Sequence, residues 1–399
     1  MKDRNYPPAF VTYGWCRNAY TVVRSLGAMG VEVHVGDPSI LAMSRISRYC
    51  TSFTRLPDFF AEPDRYFDET CKALKATGAR VLLPCHEDIG IFCKRREDLP
   101  KDVVVALPDS RTYELVEDKL DCIELAQKNA CDTPRTFKIS QYDELEQFKN
   151  NVDWPLVIKP RISNGSKGVC KVNSYEQLVA AFRNLIELYN LPGHRWPVIQ
   201  QYLPGKIAWA SVLYQNGKCV AVSSCRPFRH KELDVEGNAT LRETGDFENL
   251  INKSVSLLDK LNWHGIAQVE FIQDKDGNFL LTEINARPWG SIVVPVFSGV
   301  DMPYLWYLIA LDKLGPEYVE ESRKVRCRWI IGDCIGLIEA LRVGRLSKVI
   351  EILRPQWHCY HDDFSLADPM PLLFESLDYL VRFVKWRGSI SPVAEGMVR

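Results

Sequence analysis

The most informative stretch of the chain is IAQVEFIQDKDGNFLLTEINARPWG, residues 266–290. Asp276-Gly277 lies between two runs in which apolar and polar residues alternate, and this pattern predicts two strands joined by a two-residue turn. With that turn, Glu270 lies directly opposite Glu283. Opposed Cβ atoms are only about 4.5–5.5 Å apart, so the two carboxylates repel each other unless a cation or a proton lies between them.

The residues around this acidic pair supply further oxygen atoms. The same register puts Gln268 opposite Asn285, and Asn285 shares a strand face with Glu283 because the two are two positions apart. Glu270, Glu283 and Asn285 are therefore predicted to bind a hard cation such as Mg²⁺, which in turn suits bound phosphates. The competing interpretation is a solvated hairpin that carries scattered acids.

Size and composition are those of an ordinary globular protein. The 399 residues suffice for two to three domains. Hydrophobic residues make up 46% of the chain and charged residues 25%, which allows a large core. The formal net charge of -1 gives no overall field that attracts nucleic acid, so no nucleic-acid partner is expected.

Membrane and secretion signals are also not expected. The longest apolar segments, such as residues 302–311, fall short of the roughly 18 residues that a membrane span needs. The start, MKDRNYPPAF, lacks the apolar core and cleavage site of a secretion signal. Thirteen scattered cysteines without a CxxC pair indicate free thiols in a reducing compartment, which predicts a cytoplasmic protein.

Residues 9–107 alternate short apolar runs with amphipathic helical segments, and this pattern predicts a parallel sheet covered on both faces. The loops 13–15 and 84–88 follow strands, so we expect them at the carboxyl edge, where such sheets bind ligands. The first loop has one glycine and is no dinucleotide-binding fingerprint. Cys85 beside His86 suggests a thiol nucleophile only weakly, because adjacent residues of an extended chain point apart.

The predicted secondary structure of the rest of the chain changes at two further points. Strands, a glycine loop and helices predict one unit over residues 110–199, and antiparallel strands predict another over residues 200–312. Residues 313–399 are predicted to be mostly helical. With the first unit at residues 1–109, the expected fold class is α/β followed by α+β.

A basic strand end and a glycine loop follow one another in the second unit. Lys159 ends the apolar run of WPLVIKP, and the loop NGSKG begins at Asn164. Glycines let backbone N–H groups approach phosphate oxygens closely, and Lys159 adds a positive charge. Taken alone, the loop is more typical of an ordinary polar hairpin, but its position ahead of the acidic hairpin favours a phosphate site.

The segment VIQQYLPG, residues 198–205, is an apolar strand that runs into a Pro-Gly corner. Extended backbone of this kind can present N–H and C=O groups to a purine edge, and Gln200 can add its amide. A linker between domains is the competing interpretation.

These pieces occur in the order that is seen in ATP-grasp enzymes. The matching elements are Lys119, VIKP, NGSKG, QQYLPG, Glu270 and EINAR. Over residues 110–312 the chain resembles a stand-alone ATP-grasp carboxylate–amine ligase, similar to D-alanine ligases and the ATP-grasp half of carbamoyl phosphate synthetase. The resemblance implies an α/β pre-ATP-grasp domain, a two-lobed ATP-grasp domain and a helical C-terminal region.

The resemblance also implies a role for each matched residue. Nucleotide binding would fall to Lys119, Lys159, Asn164, Gly165, Ser166, Lys167, Gly168, Gln200, Gln201, Tyr202 and Leu203. Two Mg²⁺ ions, for which Mn²⁺ could substitute, would bind to Glu270, Glu283 and Asn285. Arg287 would lie at the reacting acyl phosphate as a catalytic residue. Gln200 and Ile207 depart from the family, which usually has acidic residues there, so ribose binding and nucleotide affinity stay open.

The stretch SSCRPFRHKELDVEGNATLR, residues 223–242, contains the basic residues Arg226, Arg229, His230 and Lys231. In the resembling family this region lies over the nucleotide and the acceptor. A loop that excludes water is what a hydrolysis-prone acyl phosphate requires. Arg226 is therefore the second predicted catalytic residue, and a solvated surface loop is the alternative.

The function implied is an ADP-forming ligase that activates a carboxylate as an acyl phosphate and joins it to an amine. Small-molecule acid and amine substrates are the expected partners, and the chain could form a homodimer, a common assembly. Two alternatives remain open. One is a bicarbonate-using carboxylase or carbamoyl-type enzyme. The other is a nucleotide-binding regulatory protein without turnover, which Gln200 and Ile207 favour and the intact acidic residues oppose.

Overall fold

The computed structural model describes residues 6–150, 152–231, 238–315, 318–320, 323–385 and 398, and every structural statement concerns these residues. Part of the basic stretch singled out above, residues 232–237, lies outside them. Within these ranges, no helix has the length and apolar character that a membrane span requires.

The N-terminal region folds into a parallel sheet, as the alternating pattern predicts. Its strands are β1 (Ala9–Thr12), β2 (Val33–Asp37), β3 (Cys50–Arg55) and β4 (Val81–Leu83). They lie in the order β3-β2-β1-β4, and every pair is parallel. The helices of this region are α1 (Arg17–Ala28), α2 (Pro63–Thr77) and α3 (Ile89–Lys94). All residues of β1, β2 and β4 are buried, as expected for strands covered on both faces.

Two loops at the carboxyl edge of this sheet lie against each other. The ring of Tyr13 stacks on His86 with 3.9 Å between the ring centroids. Thr12 Oγ1 donates a hydrogen bond to Asp88 Oδ2 at 2.5 Å. Cys85 is fully buried, and burial raises its thiol pKa well above the usual range, so this cysteine is unsuited to act as a thiolate nucleophile.

A small antiparallel sheet carries the basic strand end. It consists of β5 (Thr136–Phe137), β6 (Leu156–Lys159), β7 (Cys170–Val172) and β8 (Val198–Gln201), in the order β5-β8-β6-β7. The helices are α4 (Ser110–Glu117), α5 (Lys119–Lys128) and α6 (Tyr175–Tyr189). Asp118 separates α4 from α5 and caps α5 by accepting a hydrogen bond from Leu120 N at 3.0 Å. Lys119 is therefore the first residue of α5.

A seven-stranded sheet holds the acidic hairpin. Its strands are β9 (Lys206–Gln215), β10 (Lys218–His230), β11 (Ala239–Thr244), β12 (Gly265–Gln273), β13 (Phe279–Asn285), β14 (Arg326–Arg328) and β15 (Cys359–His361). The order is β13-β12-β9-β10-β11-β14-β15, and only the β14–β15 pair is parallel. The helices are α7 (Glu248–Lys260), α8 (Val293–Ser298), α9 (Met302–Ala310), α10 (Ile330–Arg342), α11 (Leu346–Leu353) and α12 (Met370–Lys385).

The C-terminal region is built into the fold on two sides. In addition to α10, α11 and α12, it supplies β14 and β15, which extend the seven-stranded sheet. Arg229 on β10 forms a buried ion pair with Asp333 on α10. Asp368, just before α12, accepts a hydrogen bond from Ser47 Oγ of the N-terminal region at 2.5 Å. The region therefore bridges the first and the last sheet of the chain.

The acidic hairpin has the predicted register but not the predicted turn. Glu270 lies opposite Glu283, as expected. The two-residue turn at residues 276–277 is wrong, because the last strand pair, Gln273 with Phe279, leaves residues 274–278 as a five-residue loop. That loop shifts the register by one position, and a β-bulge at Thr282 shifts it back. Two departures from the expected geometry thus cancel at the acidic pair.

Gly205 lies where the chain passes from the small sheet into β9. A Cβ atom added at Gly205 would be 1.7 Å from the backbone oxygen of Gln273, at the end of β12. No side chain fits between these two backbone segments. Glycine at this position therefore permits the close approach of β9 to the hairpin that carries the acids.

We predict that Gly205→Ala destabilises the protein by about 1–3 kcal/mol, because the added methyl group overpacks a contact with rigid backbone. Chemical denaturation monitored by tryptophan fluorescence measures the change. Gly193→Ala is the matched control, since a Cβ atom there meets nothing within 4 Å. Equal stability of the two variants would contradict the role assigned to Gly205.

Candidate active site

A cavity of about 420 Å³ lies where the first loops, the glycine loop, the acidic hairpin and the C-terminal region meet. The predicted site residues that line it are Lys119, Lys159, Asn164, Gly165, Ser166, Lys167, Glu270, Glu283, Asn285 and Arg287. Residues far apart in the sequence are thus brought to one place, as the phosphate and metal hypotheses require.

The two facing acids have opposite electrostatic surroundings. Burial and then the charge of Glu283 raise the pKa of Glu270, and the nearby lysines offset this only in part. Burial also acts to raise the pKa of Glu283, but Lys119, the amide of Asn285 and Lys159 outweigh burial, so the pKa of Glu283 is lowered. Glu283 is therefore held as a carboxylate, while Glu270 favours a proton or a bound cation.

Two lysines approach the acids from different elements. Lys119 Nζ donates a hydrogen bond to Ser163 O at 2.8 Å and lies 3.6 Å from Glu283 Oε2. The side chain of Lys159, at the end of β6, forms no hydrogen bond or ion pair with any other residue that the structure describes, and burial lowers its pKa. Its ammonium group is therefore available to an anionic ligand in the cavity.

Asn285 is oriented by its neighbours on the hairpin. Its Nδ2 donates hydrogen bonds to Gln268 Oε1 and Glu283 Oε1, both at 3.1 Å. These two bonds use the donor side of the amide. The amide oxygen thereby stays available as a metal ligand next to the two carboxylates.

Arg287 is fixed by a network that joins three segments. Its Nε donates a hydrogen bond to Glu87 Oε1 at 2.7 Å, and its Nη1 donates to Pro288 O at 3.2 Å. Asn164 Nδ2, in the glycine loop, donates to the same Glu87 oxygen at 3.3 Å. The loop after β4 therefore positions both the guanidinium group and the glycine loop.

The glycine loop has the left-handed backbone that its sequence suggests. Gly165, Ser166 and Gly168 have φ of 59°, 60° and 72°. A Cβ atom at Gly168 would be 2.6 Å from Pro160, so a larger residue is excluded by space as well as by backbone conformation. Burial and then the charge of Lys231 lower the pKa of Lys167 to about 8.

The predicted adenine segment lies beside the cavity rather than in its wall. Gln200 is buried, and its Nε2 donates a hydrogen bond to Thr136 Oγ1 at 2.8 Å. The ring of Tyr202 lies 3.9 Å from Lys171 Nζ. Neither these residues nor Gln201 and Leu203 line the cavity, whereas Ile207 does. Their contact with a nucleotide stays a prediction.

Arg226 is not brought to the cavity. Its Nη2 donates a hydrogen bond to Glu243 Oε1 at 3.1 Å, and the side chain lines a separate pocket. Successive residues of a strand point to opposite faces, and Pro227 is the neighbour that faces the cavity. Arg226 and Arg287 thus line different pockets, and the catalytic role expected of Arg226 stays a prediction. His230 and Lys231 are the basic residues of this stretch in the cavity wall.

Several residues of the cavity wall were not predicted as site residues, among them Arg17, Trp329, Glu375 and Tyr379. Arg17 follows the first strand-end loop, and its Nε donates a hydrogen bond to Gly290 O at 2.9 Å. Trp329, Glu375 and Tyr379 come from the C-terminal region. The position of Arg17 behind a ligand-binding loop was an available signal. The other three have no local motif, because only long-range packing brings them to the cavity.

The residues present fit a magnesium ion. Glu270, Glu283 and Asn285 supply oxygen atoms to the wall of a cavity that Lys119 and Lys159 also line. Among the described residues there is no group of three or more His, Cys, Asp or Glu side chains that could enclose a metal. Mg²⁺ typically uses one or two carboxylates together with phosphates and waters, so a closed protein cage is not needed.

Comparison with known proteins identifies the class of domain that this geometry forms. Residues 116–291 match the family model described as an ATP-grasp domain. This range contains the lysines, the glycine loop, the acidic hairpin and Arg287. Residues 116–291 of the chain thus match an ATP-grasp domain, in agreement with the order of the motifs in this range.

Two curated relatives illustrate the breadth of the similarity. The formate-dependent phosphoribosylglycinamide formyltransferase of Prochlorococcus marinus subsp. pastoris is 24% identical over 295 residues, which cover 70% of this chain and 73% of that protein. The D-alanine–D-alanine ligase of Pseudomonas putida is 24% identical over 181 residues, which cover 44% of this chain and 55% of that protein. The chain thus spans about half the length of the D-alanine ligase.

A solved structure shares the overall fold. The biotin carboxylase domain of the Hydrogenobacter thermophilus 2-oxoglutarate carboxylase, crystallised as a dimer with MgADP, ADP and bicarbonate, superimposes with a TM-score of 0.65. The two are 15% identical, and the match covers 80% of this chain and 73% of that one. The shared architecture extends beyond the ATP-grasp domain into the flanking regions.

The opposite pKa shifts of the acidic pair give a stability prediction. The pKa of Glu270 is raised in the folded state, so the ionised side chain lowers the free energy of unfolding. This loss of stability begins as pH rises through the unfolded-state pKa of about 4.3 and grows above it. Glu270→Gln is therefore expected to raise the melting temperature in metal-free buffer, with a larger gain at about pH 8 than at about pH 5. Thermal unfolding with a chelator present measures both values.

Glu283→Gln is the matched control with the opposite sign. Its lowered folded-state pKa means that the carboxylate stabilises the fold above its unfolded-state pKa, and this stabilisation is lost as pH falls through the lowered value. The variant should therefore melt below the wild type near neutral pH. If both variants changed the melting temperature in the same direction, the assignment of one ionised and one protonated acid would be refuted.

Proposed function

We propose that this protein is an ADP-forming ligase, which activates a carboxylate with ATP and joins it to an amine. The observation that carries the proposal is the facing pair Glu270 and Glu283, with Lys119 and Lys159 in the wall of the same cavity. Arg287 lies at the edge of this arrangement and is held by Glu87. Similarity to ligases and to other ATP-grasp enzymes supports the reaction class.

The lysines and the glycine loop would bind the phosphates. Lys159 has no competing ion pair among the described residues, and Lys119 is tethered by Ser163, so each can reach an anionic oxygen. The loop around Gly165 and Gly168 can present backbone N–H groups over the phosphates. Mg²⁺, held by Glu270, Glu283 and Asn285, would withdraw charge from the phosphoryl group in transfer.

The proposed chemistry has two steps. A carboxylate oxygen of the first substrate attacks the γ-phosphorus of ATP, the bond to the bridging oxygen breaks, and ADP leaves. The amine then attacks the acyl carbon, the bond to the phosphate oxygen breaks, and phosphate and a proton leave as the amide forms. Arg287 is placed to stabilise the oxyanion of the second step, a role that contributes about 3–4 kcal/mol in comparable sites.

Several finer points are part of the proposal. We expect two Mg²⁺ ions, replaceable by Mn²⁺, and residues 200–203 in contact with adenine. The division into units at residues 109, 199 and 312 is proposed as the domain organisation. A cytoplasmic location would suit the thiols, since none of the thirteen cysteines, which all lie in the described ranges, forms a disulfide. A homodimer is the proposed assembly.

ADP release measured over a matrix of carboxylic acids and amines tests the reaction. The expected result is ADP formation that requires Mg²⁺, one acid and one amine together. Bicarbonate replaces the acid in a parallel series. ADP formation with bicarbonate alone would favour a carboxylase-type reaction, and nucleotide binding without ADP formation in any series would favour a regulatory protein.

Replacing Glu283 by Ala is expected to abolish turnover, because this acid is the ionised member of the metal pair. The protein should still fold, since Glu283 is partly exposed to the cavity at 29%. ADP release at increasing Mg²⁺ concentration measures the effect. A Glu283→Ala variant with wild-type Mg²⁺ dependence would refute the metal assignment.

Replacing Arg287 by Ala should lower the turnover number about 10²–10³-fold, the usual effect of losing an oxyanion donor. Affinity for ATP should change little, because Arg287 contacts Glu87 rather than a nucleotide-facing residue. Product formation and calorimetric ATP binding are measured on the same preparation. Arg183→Ala, an exposed arginine on α6, is the control; equal losses of turnover and ATP affinity in Arg287→Ala would argue against a catalytic role.

A further inference from the structure

The cavity has a second end that the phosphate chemistry does not use. Beyond the acidic hairpin, its wall is formed by Trp329 at the start of α10 and by Glu375 and Tyr379 of α12. The rings of Trp329 and Tyr379 lie 6.4 Å apart between centroids. This aromatic and acidic end is a feature of the C-terminal region, outside the residues that match the ATP-grasp model.

Glu375 is the polar group of this end that lacks a complete set of partners. The residue is only 4% exposed, and its Oε1 accepts a hydrogen bond from Trp329 Nε1 at 3.0 Å. Its Oε2 is buried and has no hydrogen-bond partner among the described residues. An unsatisfied buried polar atom is costly, so it marks a place where a ligand group can supply the missing bond.

The surrounding charges leave Glu375 without a cation of its own. Asp362 is paired with both nearby guanidinium groups, Arg242 and Arg17, the latter at 3.2 Å. Asp363 accepts hydrogen bonds from the backbone N–H groups of Ile330 and Ile331 at 3.3 and 3.0 Å. Three carboxyl groups thus face two guanidinium groups, and both of these pair with Asp362. Of the two acids left over, Asp363 is bound by backbone N–H groups, whereas Glu375 has only the hydrogen bond from the Trp329 indole.

Arg17 cannot easily turn to Glu375. Its guanidinium carbon lies 3.8 Å from the centre of the Trp329 ring, and its Nε is bound to Gly290 O at 2.9 Å. A Cβ atom at Gly290 would be 2.4 Å from Arg17 Nη2, so the arginine fits closely against the backbone. The packing therefore holds Arg17 in place and leaves Oε2 of Glu375, a residue of the cavity wall, without a cationic partner among the described residues.

Two further unsatisfied groups line the same cavity. The indole N–H groups of Trp209 and Trp289 are buried and have no acceptor among the described residues. Trp209 pairs with Glu270 in the sheet, so these neutral donors lie toward the reacting end. Indole donors suit an oxygen acceptor such as a carboxylate, whereas the Glu375 end suits a donor.

We propose that Glu375 binds the ammonium group of an amino-acid-like substrate, whose carboxyl group lies toward the acidic hairpin. This inference rests on the proposed ligase function, because it takes the occupant to be one of the two substrates. It narrows the substrate class to molecules that carry both an acid and an amine. Glu375 is then a specificity-determining residue supplied by the C-terminal region.

The electrostatics of the unliganded site are consistent with this role. Burial and then the charge of Asp363 raise the pKa of Glu375 well above the usual range for a carboxyl group. Asp362 adds to this effect, and Arg17 and the Trp329 hydrogen bond oppose it. A bound ammonium group would supply the positive charge that stabilises the carboxylate, and a protonated Glu375 that only donates a hydrogen bond is the rival that the test must separate.

The test uses the full chain loaded with Mg²⁺ and a non-hydrolysable ATP analogue. L- and D-amino acids are titrated singly by calorimetry, each beside the desamino acid that has the same carbon skeleton. At least one amino acid should bind its site at least about tenfold more tightly than its desamino partner does. A difference of this size in affinity is usual for a hydrogen bond to a charged group. Glu375→Gln should abolish this difference, because the amide keeps the Trp329 hydrogen bond but loses the charge.

Asp378→Asn is the matched control on the same helix. Asp378 is buried one turn from Glu375, is paired with Arg382 and does not line the cavity, so amino-acid binding should match the wild type. Unchanged affinity of Glu375→Gln for the ATP analogue shows that the variant is folded. The inference is overturned if every amino acid binds with the same affinity as its desamino partner. It is also overturned if Glu375→Gln keeps the preference for the amino acid.

Failure of this inference is distinguishable from failure of the ligase proposal. ADP release with acids and amines that does not depend on an ammonium group would leave the reaction standing and remove the Glu375 site. Binding of an amino acid that depends on Glu375, without ADP release in any acid and amine mixture, would support the site and remove the reaction.

Discussion

The candidate site depends on holding two acidic side chains face to face. Glu270 and Glu283 repel each other across the hairpin, and their opposite pKa shifts show how the fold accommodates the repulsion. Lys119 comes from the start of a helix and Lys159 from the end of a strand in another sheet. Lys159 can act on the acids only if the small sheet is held against the large one. Gly205 lies in the connection between these sheets and lets the chain pass directly against the backbone of Gln273.

The flanking regions take part in the site rather than merely enclosing it. Glu87, in a loop of the N-terminal sheet, binds both Arg287 and Asn164, so an acid from the first region sets the position of two groups in the ATP-grasp domain. The C-terminal region is fixed to the N-terminal region through Asp368 and to the large sheet through Asp333. These ties let its side chains form a rigid wall of the cavity.

Much of the fold and the phosphate end of the site could be predicted from the sequence, because the signals there are local. Strand periodicity and the run ending in Lys159 sufficed for the small sheet and its lysine. The facing acids were predicted correctly although the turn was not, since the bulge at Thr282 restored the register. The sequence did not show that Arg226 lines a separate pocket, because strand alternation is hard to assign next to a bulge. Glu375 has no signal because tertiary packing alone brings it to the cavity.

The charged groups in the cavity wall constrain the chemistry that it could perform. Under the proposed function, Lys119, Lys159 and Lys167 would attract the phosphates, whereas Glu375, beside the rings of Trp329 and Tyr379, would attract an ammonium group. A triphosphate would then be oriented by charge, with its transferable end next to the facing acids and the metal that they would hold. A substrate with one anionic and one cationic end would be oriented so that its carboxyl group meets the phosphates. The arrangement of charges would thus select the pair of atoms that react, before any specific contact to the rest of the substrate is considered.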